Sequence, residues 1–355
     1  MKEVLGYNLP MDGKLGYGLI GPGSIAATHA EALSHSSKAY LAAVYGRDEE
    51  RAKAFALRYG AKAYSDLGSF LDDPDVKAVV VTTPAGSHLR FALAAIGKGK
   101  PVLSEKPLDT TPERCGMIIR AGREKGVKIG CMYQSRFYPG PRLVHEAIEE
   151  GRFGRIVLIE ASVKWSRPQE YYTLVPWRCT LEDGGGVLMN QASHAVDLLS
   201  WFGGPVSSVE GYTGLLSHAG LEAEDNAVAV LRFSSGALGV INASTSIHPG
   251  YPRRLEIMGT EGSAVLEDNC LTAWDFRTEK PEDARIRASF AGSGASGSAS
   301  TNLVSDYSGH LAGLEDFADA VVSGREPAVT GEEALKSVSI IHRIYAQNGL
   351  VLDER

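Results

Sequence analysis

One short segment restricts the fold of this chain more than any other. Gly21-Pro22-Gly23-Ser24-Ile25-Ala26 stands between an apolar run at 14–20 (KLGYGLI) and a helical pattern from Ser24 to Leu33, where Ile25, Ala26, His29, Ala30 and Leu33 recur at helical spacing. In that context G-x-G-x-x-A has the form of a dinucleotide fingerprint. Gly21 permits the tight turn, Gly23 lets the backbone approach a pyrophosphate, and Ala26 allows close helix–strand packing. The helix opening at Ser24 and Ile25 offers unpaired N–H groups to phosphates. Apolar strands and amphipathic helices then alternate: strand 39–45, helix Glu49–Tyr59, strand Ala78–Val81, helix His88–Ile96, strand Pro101–Leu103, helix Pro112–Lys125 and strand Val127–Met132. Such alternation with unbroken apolar strands predicts an α/β Rossmann domain, a parallel sheet covered on both faces, over residues 1–135.

The pattern changes after about residue 135. One helix (Arg142–Glu150) precedes β-rich runs at Arg155–Lys164, Ala227–Phe233, Ala237–Thr245, Arg253–Met258 and Ser263–Leu266, with helices at Val196–Trp201, Leu311–Val322 and Glu332–Gln347. This predicts an α+β substrate-binding and oligomerisation domain over 136–355, built on an open, mostly antiparallel sheet, with the last helix free to pack back on the first domain. A length of 355 residues suits two domains. The 36 Lys+Arg against 43 Asp+Glu leave a net charge of −7, which argues against a nucleic-acid partner. No apolar run reaches the roughly 20 residues of a membrane span. The N-terminal MKEVLGYNLPMDGK has no apolar signal core, so a cytoplasmic location is expected. Cys115, Cys131, Cys179 and Cys270 form no C-x-x-C pair and read as reduced thiols. No His/carboxylate cluster has ligand spacing, so no metal is expected. Gly292 to Ser300 (GSGASGSAS) reads as a mobile loop.

The end of the second strand should read the adenosine ribose, usually through Asp or Glu. Here it runs Tyr45-Gly46-Arg47-Asp48-Glu49-Glu50-Arg51. Gly46 takes the acidic position. Arg47, joined by Arg51 one turn later, can grip a 2′-phosphate, so NADP is favoured over NAD. The other reading leaves Arg47 and Arg51 solvated at a helix start and Asp48 reaching the ribose.

Ordered motifs along the chain resemble the Gfo/Idh/MocA family of sugar-type oxidoreductases. They are Gly21 to Ala26, Thr83-Pro84-Ala85-Gly86-Ser87-His88, Glu105-Lys106-Pro107, Gln134-Ser135-Arg136-Phe137, Gly184-Gly185-Gly186-Val187-Leu188-Met189-Asn190-Gln191 with His194 and Asp197, and Gly259-Thr260-Glu261-Gly262. The resemblance implies hydride transfer between NAD(P) and a carbinol or carbonyl carbon of a sugar, cyclitol or sugar derivative. It places Thr83, Pro84, His88, Glu105, Lys106 and Gln134 at the cofactor. Lys106 and His194 are the implied catalytic pair: the imidazole moves a hydroxyl proton and the ammonium stabilises charge on the same oxygen. Many relatives carry Asp four residues before this His. Asn190 stands there instead, which excludes a carboxylate–imidazole dyad through that position and suits a hydrogen bond to a sugar hydroxyl.

Trp177 and Arg178 match a pair that approaches the nicotinamide in some NADP-dependent relatives. Arg136, Tyr171, Tyr172 and His310 are further candidates to touch substrate, against ordinary packing roles. The open sheet implies a homodimer or homotetramer. Two alternatives stand beside the dehydrogenase reading. One is a nicotinamide-dependent glycosidase of the same family; the other is a non-catalytic dinucleotide-binding sensor, which would need neither Lys106 nor His194.

Overall fold

The computed structural model describes residues 13–290 and 306–350, so the Gly292–Ser300 stretch lies outside the described residues. The chain separates into two compact units, 1–134 with 304–335, and 135–303 with 336–355. Residues 304–335, placed in the second domain by the sequence reading, therefore cluster with the first unit.

The first unit holds β1 (Leu15–Ile20), α1 (Ser24–Ser34), β2 (Ala39–Tyr45), α2 (Glu49–Tyr59), β3 (Lys62–Tyr64), α3 (Leu67–Asp72), β4 (Ala78–Val81), α4 (His88–Gly97), β5 (Val102–Glu105), α5 (Pro112–Lys125) and β6 (Ile129–Met132). The six strands run parallel in the order β3-β2-β1-β4-β5-β6. The order reverses beside β1, and the carboxyl ends at that switch point are where open α/β sheets bind ligands. Strands β1, β4, β5 and β6 are buried along their whole length; β1, β4 and β6 match this with uncharged, largely apolar sequence, whereas β5 (VLSE) buries Ser104 and Glu105 at its end. Helix ends carry their own signals: Asp48 caps α2 by accepting the Arg51 N–H, and Thr111 caps α5 by accepting the Arg114 N–H. The short β3 and α3 were not anticipated.

Helix α10 (Ser308–Ser323) completes this unit. Its Leu314, Phe317, Ala318 and Val321 join Leu15, Tyr17, Ala30 and Met132 in one core, and the Tyr17 hydroxyl donates to Leu314 O at 2.8 Å. Each large apolar side chain so buried contributes about 1.5–3 kcal/mol. Gly130 is small because Phe317 lies there: a Cβ would meet its ring at 2.8 Å.

The second unit contains α6 (Pro139–Glu149), β7 (Ile156–Lys164), α7 (Gln169–Thr173), α8 (Ser193–Gly203), β8 (Val206–Gly214), β9 (Asn226–Phe233), β10 (Leu238–Ser244), β11 (Arg254–Gly259), β12 (Gly262–Glu267), β13 (Cys270–Phe276) and α9 (Asp283–Ser289). The division between units falls within α11 (Gly331–Gln347). The seven strands order as β13-β12-β11-β7-β10-β9-β8, and only the β7–β10 pairing is parallel. One face is covered: α8, buried along most of its length, packs against β7 and β11. The opposite face shows Leu158, Tyr212, Val228, Val230 and Leu238 exposed.

Candidate active site

In the first unit the loop after β1 is shaped by its glycines. Gly21 has φ +98°, and a Cβ there would meet Thr83 Cγ2 at 2.8 Å, so the β1 and β4 ends approach as only glycine allows. Around a Cβ built on Gly23 nothing lies within 4 Å. Helix α1 has no side-chain cap and no acidic residue in its first turn. The N–H groups at Ser24 and Ile25 are thus left for an anion, and this open cradle fits a dinucleotide pyrophosphate. A Cβ on Gly46 would strike Pro22 at 2.9 Å, which explains glycine where an acid was expected. Arg47 is exposed beside it, and Arg51 Nε donates to Pro22 O at 3.0 Å, fixing Arg51 against the glycine loop. Asp48 is engaged as the α2 cap.

At the end of β4, the Thr82 hydroxyl donates to Ile20 O and Gly21 O, and Thr83 Oγ1 accepts from Ser87. His88 was expected at the cofactor. It is buried instead, its ring nitrogens 2.8 Å from Thr83 O and 3.0 Å from Pro107 O, and it braces the turns carrying Thr83-Pro84 and Lys106-Pro107. The Lys106–Pro107 peptide is cis.

Glu105, also expected at the cofactor, is 5% exposed and works inside the unit. Its Oε1 lies 2.6 Å from His29 Nε2 and 3.7 Å from His310 Nε2, and its Oε2 accepts the Lys106 N–H at 3.1 Å. Burial alone would raise the Glu105 pKa. The two imidazoles more than offset that and hold the carboxylate well below its usual range. His310, expected to reach substrate, is enclosed edge-on against His29 with ring centroids 5.1 Å apart. The donor atoms of His29, Glu105 and His310 lie within 4.8 Å of one another, a convergence that sequence spacing could not show. At 2.6 Å the His29–Glu105 contact is closer than the roughly 3.3 Å between ligands of a tetrahedral ion with bonds near 2.0 Å. His29 and Glu105 are therefore arranged as a hydrogen-bonded pair behind Lys106, with His310 beside the carboxylate at ion-pair distance. Lys106 is partly exposed at the β5 end, and burial lowers its ammonium pKa against the opposing charge of Glu105. Gln134 Oε1 is buried with no hydrogen-bond partner among the described residues.

In the second unit the glycine triplet feeds a single π-helical turn, Val187–Gln191, that leads into α8. Gly184 and Gly186 have φ +83° and +92°, and a Cβ on Gly185 would meet Arg178 O and Thr180 O at 2.6 Å. Glu224, missed in the sequence, clamps this turn. Its Oε1 accepts the Leu188 N–H at 2.8 Å and the Tyr345 hydroxyl at 2.9 Å, while its backbone oxygen accepts the Val187 N–H. Burial pushes its carboxyl up to about 8, opposed by those hydrogen bonds. The turn sets Asn190, whose amide donates to the Tyr171 hydroxyl at 3.4 Å, and places His194, partly exposed, in the first turn of α8.

Two substrate candidates prove structural. Arg136 spends its fork on Asp197, with hydrogen bonds of 2.8 and 2.7 Å in a pair almost fully buried. Tyr172 is 1% exposed, and its hydroxyl pairs with Thr245 at 2.7 Å. Tyr171, Trp177 and Arg178 remain partly exposed, with the Arg178 guanidinium 3.9 Å above the Tyr171 ring.

The family model described as "Oxidoreductase family, NAD-binding Rossmann fold" matches residues 15–133, and the "GFO/IDH/MocA C-terminal domain" matches 142–265. The chain belongs to the Gfo/Idh/MocA oxidoreductase family. An inositol 2-dehydrogenase from Acidothermus cellulolyticus is 33% identical over 70% of this chain and 72% of its own. A myo-inositol 2-dehydrogenase from Thermotoga maritima is 28% identical over 89% and 91%. Among solved structures, the WlbA dehydrogenase from Bordetella pertussis, in complex with NADH and UDP-GlcNAcA, is 33% identical, covers 96% of this chain and 100% of its own, and has a TM-score of 0.84. This Gfo/Idh/MocA member is a nicotinamide-dependent oxidoreductase with a Rossmann sheet and a second, mostly antiparallel sheet domain.

Proposed function

We propose that the enzyme transfers hydride between a nicotinamide dinucleotide and a CH–OH or C=O carbon of a sugar, cyclitol or sugar derivative. The observation that carries this reading is Lys106 held at the β5 end by the buried Glu105, itself hydrogen-bonded to His29, since a lysine there with no chemical task would not need its backbone so fixed. The relatives named for inositol oxidation, and the one bound to a nucleotide sugar, agree with it. When bound, the dinucleotide supplies or accepts hydride at nicotinamide C4. The α1 N-terminus and Gly23 would hold its pyrophosphate and Thr83-Pro84 would border it. His194 would take or return the hydroxyl proton, and the Lys106 ammonium would stabilise negative charge growing on that oxygen. Asn190, an amide, would orient a hydroxyl and move no proton.

NADP is the preferred cofactor in this reading, because Gly46 leaves no carboxylate to repel a 2′-phosphate and Arg47 and Arg51 flank the loop. A fluorescence titration should show NADPH binding about tenfold tighter than NADH, and equal or tighter NADH binding would refute it. Lys106→Ala and His194→Ala should each lower turnover on a polyol and keto-sugar panel by about 100-fold or more, with dinucleotide affinity nearly kept. Unchanged turnover in either variant removes that residue from the chemistry. The chain would act in the cytoplasm, as a homodimer or homotetramer joined through the open sheet face.

A further inference from the structure

The second unit contains a cationic patch that the hydride chemistry leaves unused. Arg178 and Arg167 both pack on Tyr171, their guanidinium carbons 3.9 and 5.5 Å from its ring centroid. Arg167, 7% exposed, also lies 4.9 Å from the Trp165 ring. Two like charges on one aromatic ring repel, and burial lowers the pKa of Arg167, with Arg178 adding to that effect; the groups that oppose it are the hydroxyls of Tyr171 and Tyr172. The carboxylates of Asp225, Glu222 and Asp183 are committed elsewhere. Asp225 accepts from the N–H groups of Leu216, Ser217 and His218, Glu222 from Leu181, and Asp183 from Thr180. Among the described residues Arg178 has no ion pair: Nη1 donates to Tyr171 O at 2.8 Å, and Nε is buried with no acceptor. The buried indole Nε1 of Trp165 likewise has none. Two donors without acceptors, beside a second guanidinium, leave a desolvation deficit of the kind an anionic ligand relieves.

The patch also adjoins the site. The hydroxyl of the same Tyr171 accepts from the amides of Asn190 and Gln191, at 3.4 and 3.3 Å, in the turn that leads to His194. We propose that Arg178, with Arg167 and Trp165, forms a subsite for an anionic group on the substrate, a carboxylate or a phosphate ester, so that the enzyme acts on an acidic sugar. This rests on the sugar-oxidoreductase reading above.

The test uses the full chain and isothermal titration with D-glucuronate, D-glucose 6-phosphate and D-glucose, alongside NADH and NADPH titrations. One charged probe should bind at least about tenfold tighter than glucose, and the preferred one identifies carboxylate or phosphate. In Arg178→Gln that ratio should fall to near one, while Arg178→Lys, which keeps the charge, should keep part of it. Equal affinity for all three probes overturns the proposal. So does an undiminished ratio in Arg178→Gln, or a loss confined to NADH and NADPH affinity, which would return Arg178 to the cofactor. A protein that prefers the acidic probes yet binds neither dinucleotide would sink the oxidoreductase reading and leave the anion subsite standing.

Discussion

Glu224 is a carboxyl that folding keeps protonated. Its ordinary value of 4.5 rises to about 8 because burial disfavours the charge more than the Leu188 and Tyr345 hydrogen bonds favour it. Between those values the folded chain binds a proton the unfolded chain has released, so stability falls as pH rises from about 5 to 8. Gln in its place offers the same acceptor and does not ionise. Glu224→Gln should therefore gain melting temperature over the wild type as pH rises, by roughly 5 °C or more between pH 5 and 8.5 in thermal scans; parallel profiles would show Glu224 charged in the fold. A Cβ on Gly186 would lie 2.3 Å from Glu224 Oε2, so Gly186→Ala collides with the same clamp. At this scale the sequence was informative where chemistry is tied to a short motif. Gly21, Gly23 and Lys106 sit at strand ends in the contexts their motifs predict. His88, Tyr172, Arg136 and His310 lie enclosed against groups elsewhere in the fold, and local spacing does not distinguish a polar side chain packed in this way from one that faces a ligand. His29 stood in plain view on the apolar face of α1, and a histidine there is the signal that could have found the Glu105 pair.

Among the elements, α8 depends most visibly on a single buried pair. Asp197 projects from it and is fully enclosed, with the Arg136 fork as its counter-ion. Removing one partner strands a charge, so Arg136→Met should lose about 3–5 kcal/mol in urea unfolding. Arg136→Met with Asp197→Leu should recover most of the loss, and a harmless single variant would show the aspartate finds other support. Strand legibility followed the same logic of burial. β9 alternates cleanly between core and solvent and was read nearly to its ends, whereas β8 (VSSVEGYTG) buries only Val209 and so carries no periodic signal. The π-turn has no sequence period at all, because it is imposed by Gly184, Gly186 and the distant Glu224.

At the scale of the whole molecule, the open face of the second sheet gathers five of the exposed large apolar side chains among the described residues. Val230 is 59% exposed between Glu210 and Val240 on the neighbouring strands, with Tyr212, Val228, Leu238 and Leu158 around it. Contiguous apolar area of this kind marks an interface. Val230→Glu should convert an oligomer to monomers in sedimentation velocity, and a wild type that is already monomeric would remove the oligomer proposal.

The first unit recruits α10 from the far end of the sequence, and this bears on how the protein is made. During synthesis, β1 and Tyr17 emerge early but must wait for Leu314 and Phe317 before their side of the sheet is covered. The nucleotide-binding half thus stays unfinished until α10, about 300 residues after β1, has left the ribosome. A nascent fragment stopped before α10 would leave part of that core, covered on the other side by α1, open to chaperones and proteases, whatever motifs it already carried.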